Sequence, residues 1–202
     1  HSTHSDGRFD PDTLARMARE AGLSGLALTD HDTVSGLAPM ANACEREGLS
    51  LVNGIEISVD WEPGTLHMLG LFIDPNAMDF TEKLRFLQEG RRRRNPLMAA
   101  RLAAAGIPIT LEEVLAESAG GQLGRPHFAA VLIRKGFAKS TQDAFDRWLG
   151  KGCPGYVEKE KLSPEDSIAM IRSAGGVAVL AHPIELKMSG AELEDLVGRL
   201  VR

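Results

Sequence analysis

Behind Asp10-Pro11, apolar residues recur at Leu14, Met17, Ala18 and Ala21, the spacing of one buried helix face with a cap and an early proline at its start. This predicts a short helix ending near Gly22. Gly25 to Thr29 is a compact apolar run and reads as a strand, Leu37 to Glu47 predicts a second helix closed by Gly48, and Leu49 to Ile57 gives the next strand. Strand and helix alternate here, which predicts an α/β layer built on a parallel sheet. Leu66 to Ile73 adds one more apolar strand, with His67 near its start.

From Asp79 to about Glu160 helical periodicity continues with no strand between segments. The first helix runs through Leu84 and Leu87 to Arg94, where Asn95-Pro96 either kinks it or starts a new one. Leu97 to Ala105, a capped segment opening at Thr110-Leu111-Glu112-Glu113, Pro126 to Lys135 and Thr141 to Leu149 supply the rest. An inserted helical subdomain over 79–156 follows, dividing a main domain into 1–78 and 157–202. Ser163-Pro164-Glu165-Asp166 caps a further helix, Val177 to Leu180 is a strand ending in Ala181-His182-Pro183, and Gly190 to Arg202 is a final helix.

The 43% hydrophobic content suffices for a sizeable core, and the net charge of −5 provides no general attraction for nucleic acid. Any phosphate-bearing partner must therefore be held by local cations. No apolar run approaches the roughly 20 residues that cross a bilayer and no signal-peptide pattern opens the chain, so a cytoplasmic setting is expected. Cys44 and Cys153 lack CxxC spacing and read as structural thiols.

Candidate chemistry collects at the strand ends. Asp30-His31-Asp32 follows the first strand, and two acids flanking an imidazole ask for a cation or strong donors; an Asx turn with a helix cap would use the same residues. Glu56 lies directly inside an apolar strand, where a carboxylate needs a partner to offset burial. His31, His67 and His182 each stand at a strand edge, and Asp6 joins them from the opening loop. Such a mixed nitrogen and oxygen donor set suits Zn, Mn or Fe better than Ca, and more than four ligands imply more than one metal. The run Arg91 to Arg94 must leave some of its four cations solvated on any helix; Arg94 is the one expected to reach a substrate phosphate.

In order along the chain, HSTHSDG, LTDHDTVSG, NGIEIS, the His of LHMLG, GRPH and LAHP resemble the motifs of the PHP (polymerase and histidinol phosphatase) superfamily of metal-dependent phosphoesterases. The resemblance is closest to stand-alone bacterial members that act on nucleoside 3′,5′-bisphosphates and on the 5′ ends of short RNAs. It implies a distorted (β/α)7 barrel with a helical insertion, and up to three divalent metals at the strand ends. Carried over by position, it implies His1, Glu56, His67 and His182 as ligands of the first two metals, with Glu56 bridging them. Asp6 and His31 would serve the third. Asp30 and Asp32 would orient ligands or accept protons, and Arg125 and His127 would contact the substrate phosphate. His4 falls on a variable position and receives no role.

The resemblance also implies a ligand His before residue 1 and a closing Asp-x-His after residue 202, so the barrel is expected to be incomplete at both ends in this chain. The implied reaction is hydrolysis of a nucleotide phosphate ester by a hydroxide held between metals, with a small phosphorylated substrate or short RNA as partner and no obligatory protein partner. Histidinol phosphate is an alternative substrate, and longer nucleic acid strands another. An amidohydrolase could use a similar rim, and a non-catalytic binding module is the alternative of another class.

Overall fold

The computed structural model describes residues 1–118 and 120–201. In chain order its elements are α1 (Pro11–Glu20), β1 (Gly25–Leu28), α2 (Leu37–Glu47), β2 (Ser50–Val59), β3 (Leu66–Leu71), α3 (Met78–Ala104), α4 (Leu111–Glu117) and α5 (Arg125–Arg134). They continue with α6 (Thr141–Ala144) running into a π-helical turn (Phe145–Leu149), then α7 (Pro164–Ser173), β4 (Val177–Ala181), a 3₁₀ turn (Pro183–Leu186) and α8 (Gly190–Leu200). The end of the final helix expected at Arg202 lies outside the described residues.

Local chemistry explains most element boundaries. Asp10 caps α1 by accepting the Thr13 N–H at 2.7 Å, and Ser163 caps α7 by accepting that of Asp166 at 3.0 Å. Thr110 and Glu113 exchange side-chain and backbone hydrogen bonds at the start of α4, completing the expected capping box. Gly48 ends α2 in the left-handed conformation (φ 66°), which an L side chain would oppose.

The four strands form one sheet in the order β1-β2-β3-β4. The expected parallel sheet holds for β1 and β2 only; β2 with β3, and β3 with β4, are antiparallel. The six residues from Asp60 to Thr65 form a hairpin connection, far shorter than the dozen or more residues a parallel crossover needs. Antiparallel pairing has a consequence for the site. Ser58 near the end of β2, His67 at the start of β3 and Ala181 at the end of β4 stand side by side. The ladder from β1 continues beyond its last residue, with Glu56 N–H donating to Asp30 O and Asp32 N–H to Glu56 O, so His31 is brought opposite Glu56.

Strand alternation sorts the side chains of β2. Ile55, Ile57 and Val59 enter a core shared with Leu66, Met68, Phe80, Leu84, Leu87, Met170 and Ile171. Glu56 and Ser58 point to the opposite face. A second core joins α1 and α2 to β1 through Ala15, Met40, Cys44 and Leu28. A third joins the C-terminal half of α3 to the helices after it, where Met98, Leu102, Phe128, Leu132 and Leu149 are fully buried. Each fully buried Leu, Phe or Met contributes about 1.5–3 kcal/mol.

Two helical expectations are corrected. Asn95-Pro96 does not start a new helix, because Pro96 sits within the continuous 27-residue α3. Both Pro96 and Arg92, whose carbonyl loses its i+4 donor, lie on the exposed side, where water can serve the freed carbonyl. Thr141 to Leu149 is one α-turn followed by a π-turn, closed by Gly150 N–H donating to Phe145 O at 2.8 Å.

Candidate metal centre

Glu56 is the meeting point of the sheet edge. Its side chain is 6% exposed, and its Oε1 lies 2.8 Å from His67 Nδ1 and 3.0 Å from His182 Nε2. These two ring nitrogens are themselves 3.1 Å apart. The other oxygen, Oε2, lies 3.1 Å from His1 Nε2. Burial alone would raise the Glu56 pKa, but hydrogen bonds from His1 and His67 outweigh it and hold the carboxyl well below its usual range. The same contact with Glu56 raises His1.

His31 completes the row. Its ring stacks on His1 at 4.4 Å between centroids and meets His67 edge-on at 4.9 Å, and His67 meets His182 in the same way at 4.9 Å. Asp6 Oδ2 lies 3.8 Å from His31 Nε2, beyond hydrogen-bond reach. Gly7 makes this loop possible: a Cβ there would lie 2.2 Å from His1 O, and the Gly7 N–H turns back to Ser2 O at 3.0 Å.

The donors fit a divalent cation. His1, His31 and Glu56 form one group, and Glu56, His67 and His182 another, each offering ligand atoms within 4.8 Å of one another. Glu56 belongs to both. Asp6 joins neither. His31 Nδ1 is buried with no hydrogen-bond partner among the described residues, and burial pushes the imidazole down to about 4. A neutral, buried ring with an unused nitrogen is costly by itself and is the form that ligates a metal.

The two acids flanking His31 are 1% and 0% exposed and are held by protein donors rather than by the histidines among the described residues. Asp30 accepts the Ser2 N–H at 2.6 Å, the Ser2 hydroxyl at 2.6 Å and the Ser5 hydroxyl at 2.7 Å, anchoring the loop that carries His1 and Asp6. Asp32, held at φ 49°, accepts from Ser58 N–H at 2.9 Å, Ser58 Oγ at 3.0 Å, Arg91 Nε at 2.8 Å and Lys159 Nζ at 3.0 Å. Burial opposes its ionisation, yet Lys159 and Arg91 prevail and keep it a carboxylate.

Helix geometry splits the arginine run. Arg92 and Arg93 are exposed and pair with Glu89 and Glu160, whereas Arg91 and Arg94, three residues apart, point inward. Arg94 is 4% exposed and, among the described residues, donates only to Asn95 Oδ1, at 3.1 and 2.7 Å; burial and the neighbouring Arg91 and Arg125 lower it to about 9. Arg125, at the start of α5, has no hydrogen-bond or carboxylate partner among the described residues. Its guanidinium lies over the rings of Phe145 and Tyr156, at 5.4 and 6.0 Å. His127 accepts the Gly124 N–H on Nδ1 at 3.0 Å, and its pKa is lowered by burial, with Ser5 and Asp6 beside it. Arg91 and Lys159 thus converge on Asp32, and Arg94 and Arg125 lie near Arg91 without a carboxylate of their own among the described residues.

Against the chain as a whole, the model of the PHP domain matches residues 1–149. The chain belongs to the PHP family. Among its relatives, the 5′-3′ exoribonuclease Rnm of Escherichia coli K12 is 40% identical over 199 residues, covering 98% of this chain and 68% of its own length. The 3′,5′-nucleoside bisphosphate phosphatase of Chromobacterium violaceum is 38% identical over 198 residues, covering 98% and 70%. A solved Chromobacterium violaceum structure, described as an amidohydrolase with bound sulfate and no metal, superposes with a TM-score of 0.91 at 37% identity, covering 99% of this chain and 71% of that one. This PHP chain therefore shares its α/β fold with that structure over nearly all of its own length.

Of the residues singled out from the sequence, His1, His31, Glu56, His67 and His182 are neighbours in the structure, with Asp6 beside His31. Sequence reasoning missed Lys159, which reads as one of four charged residues in a row at 158–161, and Arg91 as the partner of Asp32. It also missed Glu185, whose Oε2 lies 3.5 Å from His182 Nδ1. A carboxylate three residues beyond a strand-end histidine was the available signal.

Proposed function

We propose that this PHP chain is a divalent-metal-dependent phosphoric ester hydrolase whose substrate is a nucleoside 3′,5′-bisphosphate or the 5′ end of a short RNA. The observation that carries the reading is the convergence of three histidines on the single buried carboxylate of Glu56. His1, Asp6, His31, Glu56, His67 and His182 would hold the metals, of which Mn, Zn and Fe suit the donor set. Bound divalent ions supply Lewis acidity toward an attacking water and toward phosphoryl oxygens.

The protein's own residues do the rest. Glu56 stays ionised under its histidine donors, and His31 stays neutral. His127, with the Gly124 N–H directed at its Nδ1, would present Nε2 as a hydrogen-bond donor to a phosphoryl oxygen. Arg94 and Arg125 retain N–H groups for a second anionic group. This surplus of buried cations supports a substrate with more than one phosphate, in accord with the activities named for the Escherichia coli and Chromobacterium violaceum relatives. The helices of 79–156 would then form the insertion that holds the substrate, with 1–78 and 157–202 carrying the metals.

The test is phosphate release by protein purified with Mn²⁺, comparing adenosine 3′,5′-bisphosphate with histidinol phosphate. Release from the nucleotide is expected. Its absence, with bound metal verified, overturns the substrate assignment.

A further inference from the structure

Arg125 presents a contradiction in ordinary packing terms. A largely buried guanidinium normally meets a carboxylate, and this one meets two aromatic rings instead, Phe145 at 5.4 Å and Tyr156 at 6.0 Å. The chemical difference is decisive. A carboxylate would occupy the N–H fork and cancel the charge, whereas ring faces attract the cation and leave every N–H free for another anion.

Both rings are fixed. The Tyr156 hydroxyl donates to Glu158, its N–H donates to Cys153 O at 3.0 Å, and its carbonyl accepts from Arg101 Nη1 at 2.6 Å. Phe145 opens the π-turn, whose wider closure to Gly150 sets its place on the helix. Such turns occur often at functional sites. The charged groups that act on Arg125 are Tyr156, Arg91 and Glu158, whereas His127, two residues along, faces Asp6 of the opening loop.

We infer that Phe145 and Tyr156 are positioning residues that hold Arg125 ready for the phosphate of the substrate that is not cleaved. This rests on the bisphosphate reading above and deepens it. His127 then serves the reacting phosphate, and the rings with Arg125 serve the distal one.

The experiment compares wild-type protein with F145L, Y156L, Y156F and R125K, all purified with Mn²⁺. KM and kcat are measured for adenosine 3′,5′-bisphosphate and for p-nitrophenyl phosphate, which has no second phosphate, and equilibrium binding of the bisphosphate is measured by calorimetry. F145L and Y156L are expected to raise the bisphosphate KM and Kd about tenfold with kcat within about twofold, and to leave p-nitrophenyl phosphate unaffected. Y156F keeps the ring face but loses the hydroxyl bond to Glu158 and is expected to fall between wild type and Y156L, while R125K loses affinity as the leucine variants do. Unchanged bisphosphate affinity in both leucine variants overturns the proposal, as do equal losses on both probes. Binding reads the rings even without turnover: a wild-type protein that binds the bisphosphate but cleaves neither probe refutes the hydrolase reading alone, and one that does not bind it refutes both.

Discussion

Asp32 and Lys159 are 127 residues apart in the chain, yet the Lys159 ammonium donates to Asp32 Oδ2 at 3.0 Å with both side chains buried, at 0% and 6% exposure. Arg91 donates to the same oxygen from α3. One carboxylate at the end of the β1 ladder therefore ties the start of the helical region and the segment that returns from it to the face of the sheet that carries Glu56.

Replacing Asp32 by Asn leaves Arg91 and Lys159 buried without their anion. Loss of one partner from a buried ion pair costs about 3–5 kcal/mol. D32N is expected to lower the urea midpoint accordingly. An unfolding free energy within about 0.5 kcal/mol of wild type would show that water or another anion takes the place of Asp32.

Glu56 is the shared donor of both candidate metal groups. E56Q keeps the shape and removes the charge, so metal content by elemental analysis and phosphate release are expected to fall together, each by at least tenfold. Turnover retained with metal lost would contradict the proposed role of the histidine row.

The acid limb of stability is set in part by His31, whose folded pKa is about 4 against an ordinary 6.5 because burial disfavours its charged form. Between these values the unfolded chain binds the proton and the folded one does not, so stability falls as pH drops from 6.5 to 4. His1, raised by its bond to Glu56, acts in the opposite sense. In EDTA, the stability difference between wild type and H31N is expected to change by on the order of 3 kcal/mol across that window. A constant difference would show that His31 takes up its proton in the fold.

Gly7 offers a test of the opening loop. A Cβ at this position would meet His1 O at 2.2 Å, so G7A must displace the backbone that carries His1 and Asp6. The expected result is metal affinity weakened by about tenfold or more, together with a lower unfolding midpoint of the metal-free protein, because the displaced backbone also carries the Ser2 donors of buried Asp30. Equal metal affinity in G7A and wild type would mean that the loop reaches the site by another path.

The sheet edge shows how far pattern reasoning carried. Glu56 stood out because a carboxylate inside SLVNGIEISV contradicts the apolar character around it, and that contradiction is resolved by three histidines in space. Sheet direction was only partly legible. The short Asp60–Thr65 connection was sufficient to require a hairpin, but nothing near Val177 indicated that β4 lies antiparallel to β3. Asp30 and Asp32 looked equivalent in sequence, and their different partners separate them: serines of the opening loop for one, cations from beyond β3 for the other.

By itself the sequence determined the helix caps, the strand segments, the histidines and acids of the rim and the family to which the chain belongs. These rest on short-range rules: a capping oxygen reaches only its own first turn, and periodicity sorts faces within one element. Tertiary structure alone decided which cation meets which anion. His182 reaches Glu56 across 126 residues and Arg91 reaches Asp32 across 59. Pairing at such separations depends on strand direction and helix placement, so the Arg91–Arg94 run divides into two buried and two exposed residues only once α3 is packed on the sheet.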